Sequence, residues 1–206
     1  MLNIWGRINS INVQKVLWTV YELDLAHARI DAGGPFGVTD TPEYLRMNPN
    51  RTVPTIDDDG FVLWESNAIA RYLAARYGAD TLWPDDPHWR ADVDRWMDWQ
   101  TVEFAAVMRG AFWELVRKPE AERNADRIAV SLKQTERRAR ILEAALAGRA
   151  WLAGDAFTLA DVAVGATAHR WLLLPIERPD TPNIAAWVAR LRARPAAQKA
   201  LPQTLS

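Results

Sequence analysis

A chain of 206 residues suffices for one large domain or two small ones, and 49% hydrophobic with 25% charged residues predicts a sizeable core. The formal net charge of -1 offers no basic field to nucleic acid, and no apolar run approaches the length of a membrane span. The absence of cysteine excludes disulfides, thiolate metal sites and a protein-borne cysteine nucleophile. Three scattered histidines (His27, His88, His169) give no reason to expect a metal. Met1-Leu2-Asn3 leads straight into a strand-like pattern, not a charged and then apolar leader, so the expected setting is the cytoplasm.

Leu2–Trp5 reads as a strand and Gly6–Asn12 as a polar turn. From Val13 an apolar face runs through Val16, Leu17 and Val20 at helical spacing, and His27–Asp31 reads as a second strand. Strand, helix and strand of this length predict a parallel unit. Ser10 and Asn12 stand where the first strand passes into the first helix. Free N–H groups and the helix dipole there favour an anion, although capping is the ordinary use of both residue types.

Ala32–Thr41 is a glycine-rich loop, and a short helix is expected over Pro42–Met47. Thr52-Val53-Pro54-Thr55-Ile56 is a β-rich run with a proline, which suits a strand entry and can be cis. Asp57-Asp58-Asp59-Gly60 reads as a hairpin turn between Val53–Ile56 and Phe61–Leu63. Glu65-Ser66 opens a helix running to Tyr77 with Ile69 and Leu73 on its apolar face. A serine beside free helix N–H groups is a seat for a carboxylate. A plain hairpin packed on an amphipathic helix accounts for the same spacing.

Residues 78–87 read as a domain boundary, from Gly78 through Pro84-Asp85-Asp86-Pro87. Everything beyond is helical in pattern. Trp89, Val93, Trp96 and Met97 share a stripe that continues through Phe104 and Met108 to Val116. Ile128, Leu132, Thr135, Ala139 and Leu142 mark an antiparallel partner helix. In Phe157-Thr158-Leu159-Ala160-Asp161, Thr158 fits an N-cap and Asp161 its reciprocal partner, a cap worth about 0.5–2 kcal/mol. The small residues after it predict a slim, central helix. Pro182–Leu201 reads as one more helix and a short piece after Pro195.

N-P-x-x-x-V-P-T at Asn48–Thr55 with E-S-x-A-I at Glu65–Ile69 resembles the glutathione-binding half of the cytosolic glutathione transferases. W-G-R-I-N-S-I-N-V at Trp5–Val13 is similar to their serine-type catalytic turn, and F-T-x-A-D at Phe157–Asp161 to their folding motif. The resemblance implies an α+β chain: a thioredoxin-like α/β domain over residues 1–77, a link over 78–87 and an all-helical bundle over 88–206. It implies that the Ser10 hydroxyl, with Asn12 as its neighbour, donates to the sulfur of glutathione. Val53, held outward by Pro54 with Thr52 beside it among the glutathione-binding residues, would pair its backbone with the cysteinyl part of the tripeptide as an added strand. Glu65 would take the γ-glutamyl amine and Ser66 its carboxylate. The Ala32–Thr41 loop has no histidine or lysine for the glycine carboxylate, and Arg51 is the candidate unless it is a solvated surface charge. A small hydrophobic electrophile would lie against the helix carrying Phe104, Met108, Phe112 and Trp113, although such a stripe also serves as core. Glutathione as co-substrate, no metal, no nucleic acid, no membrane and a homodimer complete the expectation. The alternatives are a non-catalytic scaffold of the same fold, or a glutathione-dependent isomerase, peroxidase or dehalogenase.

Overall fold

The computed structural model describes residues 1–78 and 80–206; Ala79, inside the predicted link, lies outside them. The chain divides into two compact units, Met1–Trp83 with Pro195–Pro202, and Pro84–Arg194 with Gln203–Ser206.

In the first unit the strands are β1 (Leu2–Trp5), β2 (His27–Ile30), β3 (Thr55–Asp58) and β4 (Phe61–Trp64), in spatial order β2-β1-β3-β4. β1 and β2 are parallel; β3 runs antiparallel to both β1 and β4. The helices are α1 (Ile11–Glu22), α2 (Pro42–Met47) and α3 (Ser66–Tyr77). Leu2, Ile4 and Ile56 of the central strands are buried with Val13, Val16, Leu17 and Val20 of α1. The β3–β4 turn is tighter than the sequence predicts. Asp57 and Asp58 belong to β3, and only Asp59 and Gly60, both at positive φ, make the turn. Asp58 is buried because it accepts from the hydroxyls of Tyr72 and Tyr77, each at 2.7 Å.

The second unit holds α4 (Pro87–Trp99), α5 (Ala106–Phe112), α6 (Ala125–Ala145), α7 (Leu159–Leu173) and α8 (Pro182–Arg192). Asp86 caps α4 by accepting from the Trp89 N–H at 2.8 Å, so the helix starts at the last residue of the predicted link. From Pro87 to Arg117 the helical run continues through two π-helical stretches, Gln100–Ala105 and Trp113–Arg117. Each widened turn shifts the phase of the side chains that follow it. α7 is buried along nearly its whole length, since alanine and glycine let its neighbours close in on every side.

The last helix, α9 (Pro195–Ala200), corrects the boundary read from sequence. It clusters with the first unit and packs on α1, burying Ala196, Ala197, Ala200 and Leu201. The Lys199 ammonium lies 5.8 Å from the centre of the Tyr21 ring. Helical periodicity predicts that such a segment is a helix, and is silent on which core it covers.

Candidate functional site

The register of the sheet gathers four stretches at one end. Trp5 pairs with Ile30, Thr55 pairs with Trp5, and Trp64 pairs with Thr55. The loop to α1, the loop after β2, the entry to β3 and the step into α3 all adjoin that row. The two parallel strands end there, where a sheet of this kind collects ligands.

Gly6 begins the loop to α1. A Cβ there would stand 2.4 Å from Cγ2 of Val13, so only glycine lets the turn close onto the helix. The Ser10 N–H donates to the Arg7 carbonyl at 3.1 Å, and Gln14 Nε2 ties down the Ile8 carbonyl at 2.9 Å. Ser10 occupies the N-cap position of α1 with extended backbone, and its carbonyl accepts the Gln14 N–H at 2.9 Å. Its side chain makes no capping hydrogen bond, so the ordinary use of a serine at this position is not made of it. Asn12 is exposed in the first turn of the same helix.

The Val53-Pro54 peptide is cis. β3 pairs with β1 only from Thr55 onward, which leaves Val53 half-buried ahead of the ladder. Two buried side chains clamp this segment. The Tyr44 hydroxyl donates to the Thr52 carbonyl at 2.6 Å and shares a hydrogen bond with the Thr55 hydroxyl at 2.8 Å. Asn48 Nδ2 donates to the same two groups, each at 3.0 Å, while its Oδ1 accepts the Asn50 N–H at 3.0 Å. The Thr52 carbonyl is therefore committed to the scaffold. The available signal was the asparagine of the N-P motif, and Tyr44 carried none. Burial raises the Tyr44 phenol above its ordinary pKa, so it stays a donor.

Arg51 lies just before this segment. It is exposed, and its guanidinium faces Asp40 at 3.5 Å, a surface pair open to solvent screening. Glu65 sits at the N-cap position of α3 with φ 72 and ψ 109, a conformation rare for a residue with a side chain. Its side chain is exposed, whereas Ser66, the first residue of α3, is buried. Beneath them Lys15 of α1 is 2% exposed and donates to Asn67 Oδ1 at 2.8 Å. Burial lowers the Lys15 ammonium to a pKa of about 7, against the pull of Glu65 and with a push from Arg71. Lys15 lies outside the apolar stripe of α1, and only the packing of α3 onto that helix reveals it.

The aromatic and methionine stripe of the second unit does not form a wall. Phe104 and Met108 are enclosed in the core, with the Phe104 ring 5.4 Å from that of Trp99 and 6.4 Å from that of Trp171. Phe112 is covered by the Arg170 guanidinium at 4.3 Å from its ring centre, and only Trp113 is exposed. The spacing of four puts the first three on the inward face, and the second π-stretch begins at Trp113, beyond them.

At α7 the Asp161 carboxylate accepts the Thr158 N–H at 3.0 Å, and the Thr158 hydroxyl accepts the Ala160 N–H at 3.3 Å. Asp161 also accepts from the Leu152 N–H at 3.0 Å and from Trp187 Nε1 at 2.9 Å, so it joins three segments as well as closing a cap. Burial pushes its carboxyl up to about 6, against the donors that favour the anion. No group of metal-binding side chains occurs among the described residues, and no helix there is long and apolar enough to cross a membrane.

Comparison with known proteins places this geometry. Residues 9–76 match the family model for the glutathione S-transferase N-terminal domain, and residues 104–195 that for the C-terminal domain. Glutathione S-transferase GstB of Escherichia coli is 41% identical over 201 residues, 97% of each chain. The theta class glutathione S-transferase of Xanthomonas axonopodis pv. citri, solved with glutathione bound, is 50% identical with a TM-score of 0.95 and covers 100% of this chain and 99% of that one. Glutathione transferase E6 of Drosophila melanogaster is 27% identical, with a TM-score of 0.84 over 97% of this chain and 90% of its own. The chain belongs to the glutathione S-transferase family.

Proposed function

We propose that the protein is a glutathione transferase in which Ser10 holds the thiol of glutathione as a thiolate for attack on a small electrophile. One observation carries the assignment of Ser10: a serine at the mouth of α1, in a transferase chain, whose hydroxyl makes no cap. A free thiol has a pKa of about 8.5. Lowering it by about two units requires ~2.7 kcal/mol of preference for the anion. A charge-assisted hydrogen bond contributes about 1.5–3 kcal/mol, and the α1 dipole adds up to ~2 kcal/mol. The thiol loses its proton to solvent, the hydroxyl donates to the resulting thiolate, the sulfur attacks the electrophilic carbon, and the leaving group departs with its electron pair. Neither a base nor a metal is needed for that step.

Val53, ahead of the β3 ladder, presents backbone to the cysteinyl part of the tripeptide as an added strand. Glu65 faces the γ-glutamyl amine, and the N-terminus of α3 at Ser66 faces its carboxylate. The enzyme acts as a homodimer, which the exposed apolar side chains of the edge strand β4 support.

The test is turnover of 1-chloro-2,4-dinitrobenzene with glutathione. Ser10→Ala is expected to lower kcat by about ten- to hundredfold, the worth of one charge-assisted hydrogen bond. Asn12→Ala serves as the companion variant. Full activity in Ser10→Ala with a large loss in Asn12→Ala would move the sulfur contact to Asn12. Wild-type protein that binds no glutathione in calorimetry would overturn the reading.

A further inference from the structure

One more arginine stands in the loop that leads to Ser10. Arg7 leaves β1 three residues before Ser10 and is half-buried. Its Nε is buried and has no hydrogen-bond partner among the described residues. The neighbouring cations are committed. Arg29 Nη1 donates to the Gly6 carbonyl at 2.8 Å and pairs with Asp31, and Arg51 faces Asp40. Lys15 is turned to Asn67.

The floor under Arg7 is built of glycine. Gly33 and Gly34 both stand at positive φ, 79 and 59. A Cβ on Gly34 would lie 3.3 Å from Arg7 Nε, and one on Gly33 would lie 3.6 Å from Nη1. The same Gly33 Cβ would lie 3.3 Å from Cγ1 of Val53. Arg7 is thus in the company of the β2–α2 loop and the backbone proposed to hold the tripeptide, and shares a turn with Ser10. Burying part of a charge without a counter-ion is costly, and the planar fork of arginine matches a carboxylate better than any other common anion except phosphate.

We propose that Arg7 is a carboxylate-binding residue of the thiol site. This rests on the transferase reading and names an anchor beyond it. The carboxylate comes either from the glycine end of glutathione or from an electrophile that is itself an acid. In either case Arg7 selects for an anion at a point where the Ala32–Thr41 loop supplies no cation and Arg29, Arg51 and Lys15 are engaged elsewhere.

The experiment compares wild type with Arg7→Met, which keeps the stem and removes the charge, and Arg7→Lys, which keeps the charge. Calorimetry measures glutathione against its glycyl amide. Kinetics at saturating glutathione measures 4-chloro-3-nitrobenzoate against the neutral 1-chloro-2,4-dinitrobenzene. If the glycine end is the ligand, wild type prefers glutathione over the amide by about ten- to hundredfold, and Arg7→Met erases that ratio. If the electrophile supplies the anion, the benzoate-to-neutral ratio of kcat/KM falls by a similar factor in Arg7→Met and the amide ratio stays put. Arg7→Lys recovers part of whichever ratio is lost. A residue that only covers the glycine loop would leave both ratios at their wild-type values in Arg7→Met, which overturns the inference while the transferase reading stands. Wild type that fails to bind glutathione overturns both.

Discussion

Lys15 carries an ammonium to a place that water does not reach. Its pKa falls to about 7 from an ordinary 10.5, so the native state sheds a proton that the unfolded chain keeps. Between about pH 7 and 10.5 the unfolded state binds more protons, and this group makes stability rise with pH. Below the lower value Lys15 is charged in both states and the full penalty of burial stands. Lys15→Met keeps the stem of the side chain, removes the penalty and leaves Asn67 Oδ1 without that donor. The melting temperature of the wild type should therefore rise relative to that of the variant as pH goes from 6 to 9. Parallel curves would show that Lys15 does not titrate in this range. Tyr44 and Asn48 work at the same scale: two buried side chains hold the segment around Val53 by its Thr52 carbonyl and the Thr55 hydroxyl.

At the scale of an element, α7 depends on Asp161 more heavily than a cap requires. Removing the carboxylate leaves the N–H groups of Thr158 and Leu152 and the Trp187 indole without an acceptor inside the protein. Each such orphan costs about 1–3 kcal/mol, and partial relaxation limits the sum, so Asp161→Ala is expected to destabilise by about 3–5 kcal/mol in urea. A loss near 1 kcal/mol would mean that the Leu152 and Trp187 contacts contribute little. This exceeds the 0.5–2 kcal/mol of a cap alone, because the cap is only the part visible along the chain. The run from Pro87 to Arg117 shows the opposite case. Its π-stretches alter phase in mid-helix, and between them Ser131 of α6 accepts the Ala111 N–H at 2.8 Å and donates to the Val107 carbonyl.

At the scale of the whole molecule, the sheet of the first unit ends on β4, an edge strand with Phe61 48%, Val62 36% and Trp64 38% exposed. An apolar edge of this kind is a template for another chain unless something covers it. With a second copy as the cover, sedimentation should give a dimer, and Phe61→Asp should shift it toward monomer by placing an unpaired charge in the contact. A wild-type protein that sediments as a monomer at micromolar concentration would refute this. The capture of α9 by the first unit belongs to this scale too. The chain crosses into the helical unit and returns, so the end of the sequence stabilises its beginning.

Much of the fold and part of the candidate site could be read directly from the residues. Ser10 at a strand-to-helix step, Val53-Pro54 at a strand entry, Glu65-Ser66 at a helix start and Thr158-x-x-Asp161 are set by neighbours within a few positions. Capping, proline geometry and helical period act at that range, so the chain alone determined them. Arg7, Lys15, Tyr44 and Asn48 were decided by tertiary structure, because their meaning depends on which distant segment covers them. The stripe of Phe104, Met108 and Phe112 failed as a substrate wall for the same reason. A period of four says that the three share a face, and only the packing of α6 and α7 around the helix says that the face is closed to water.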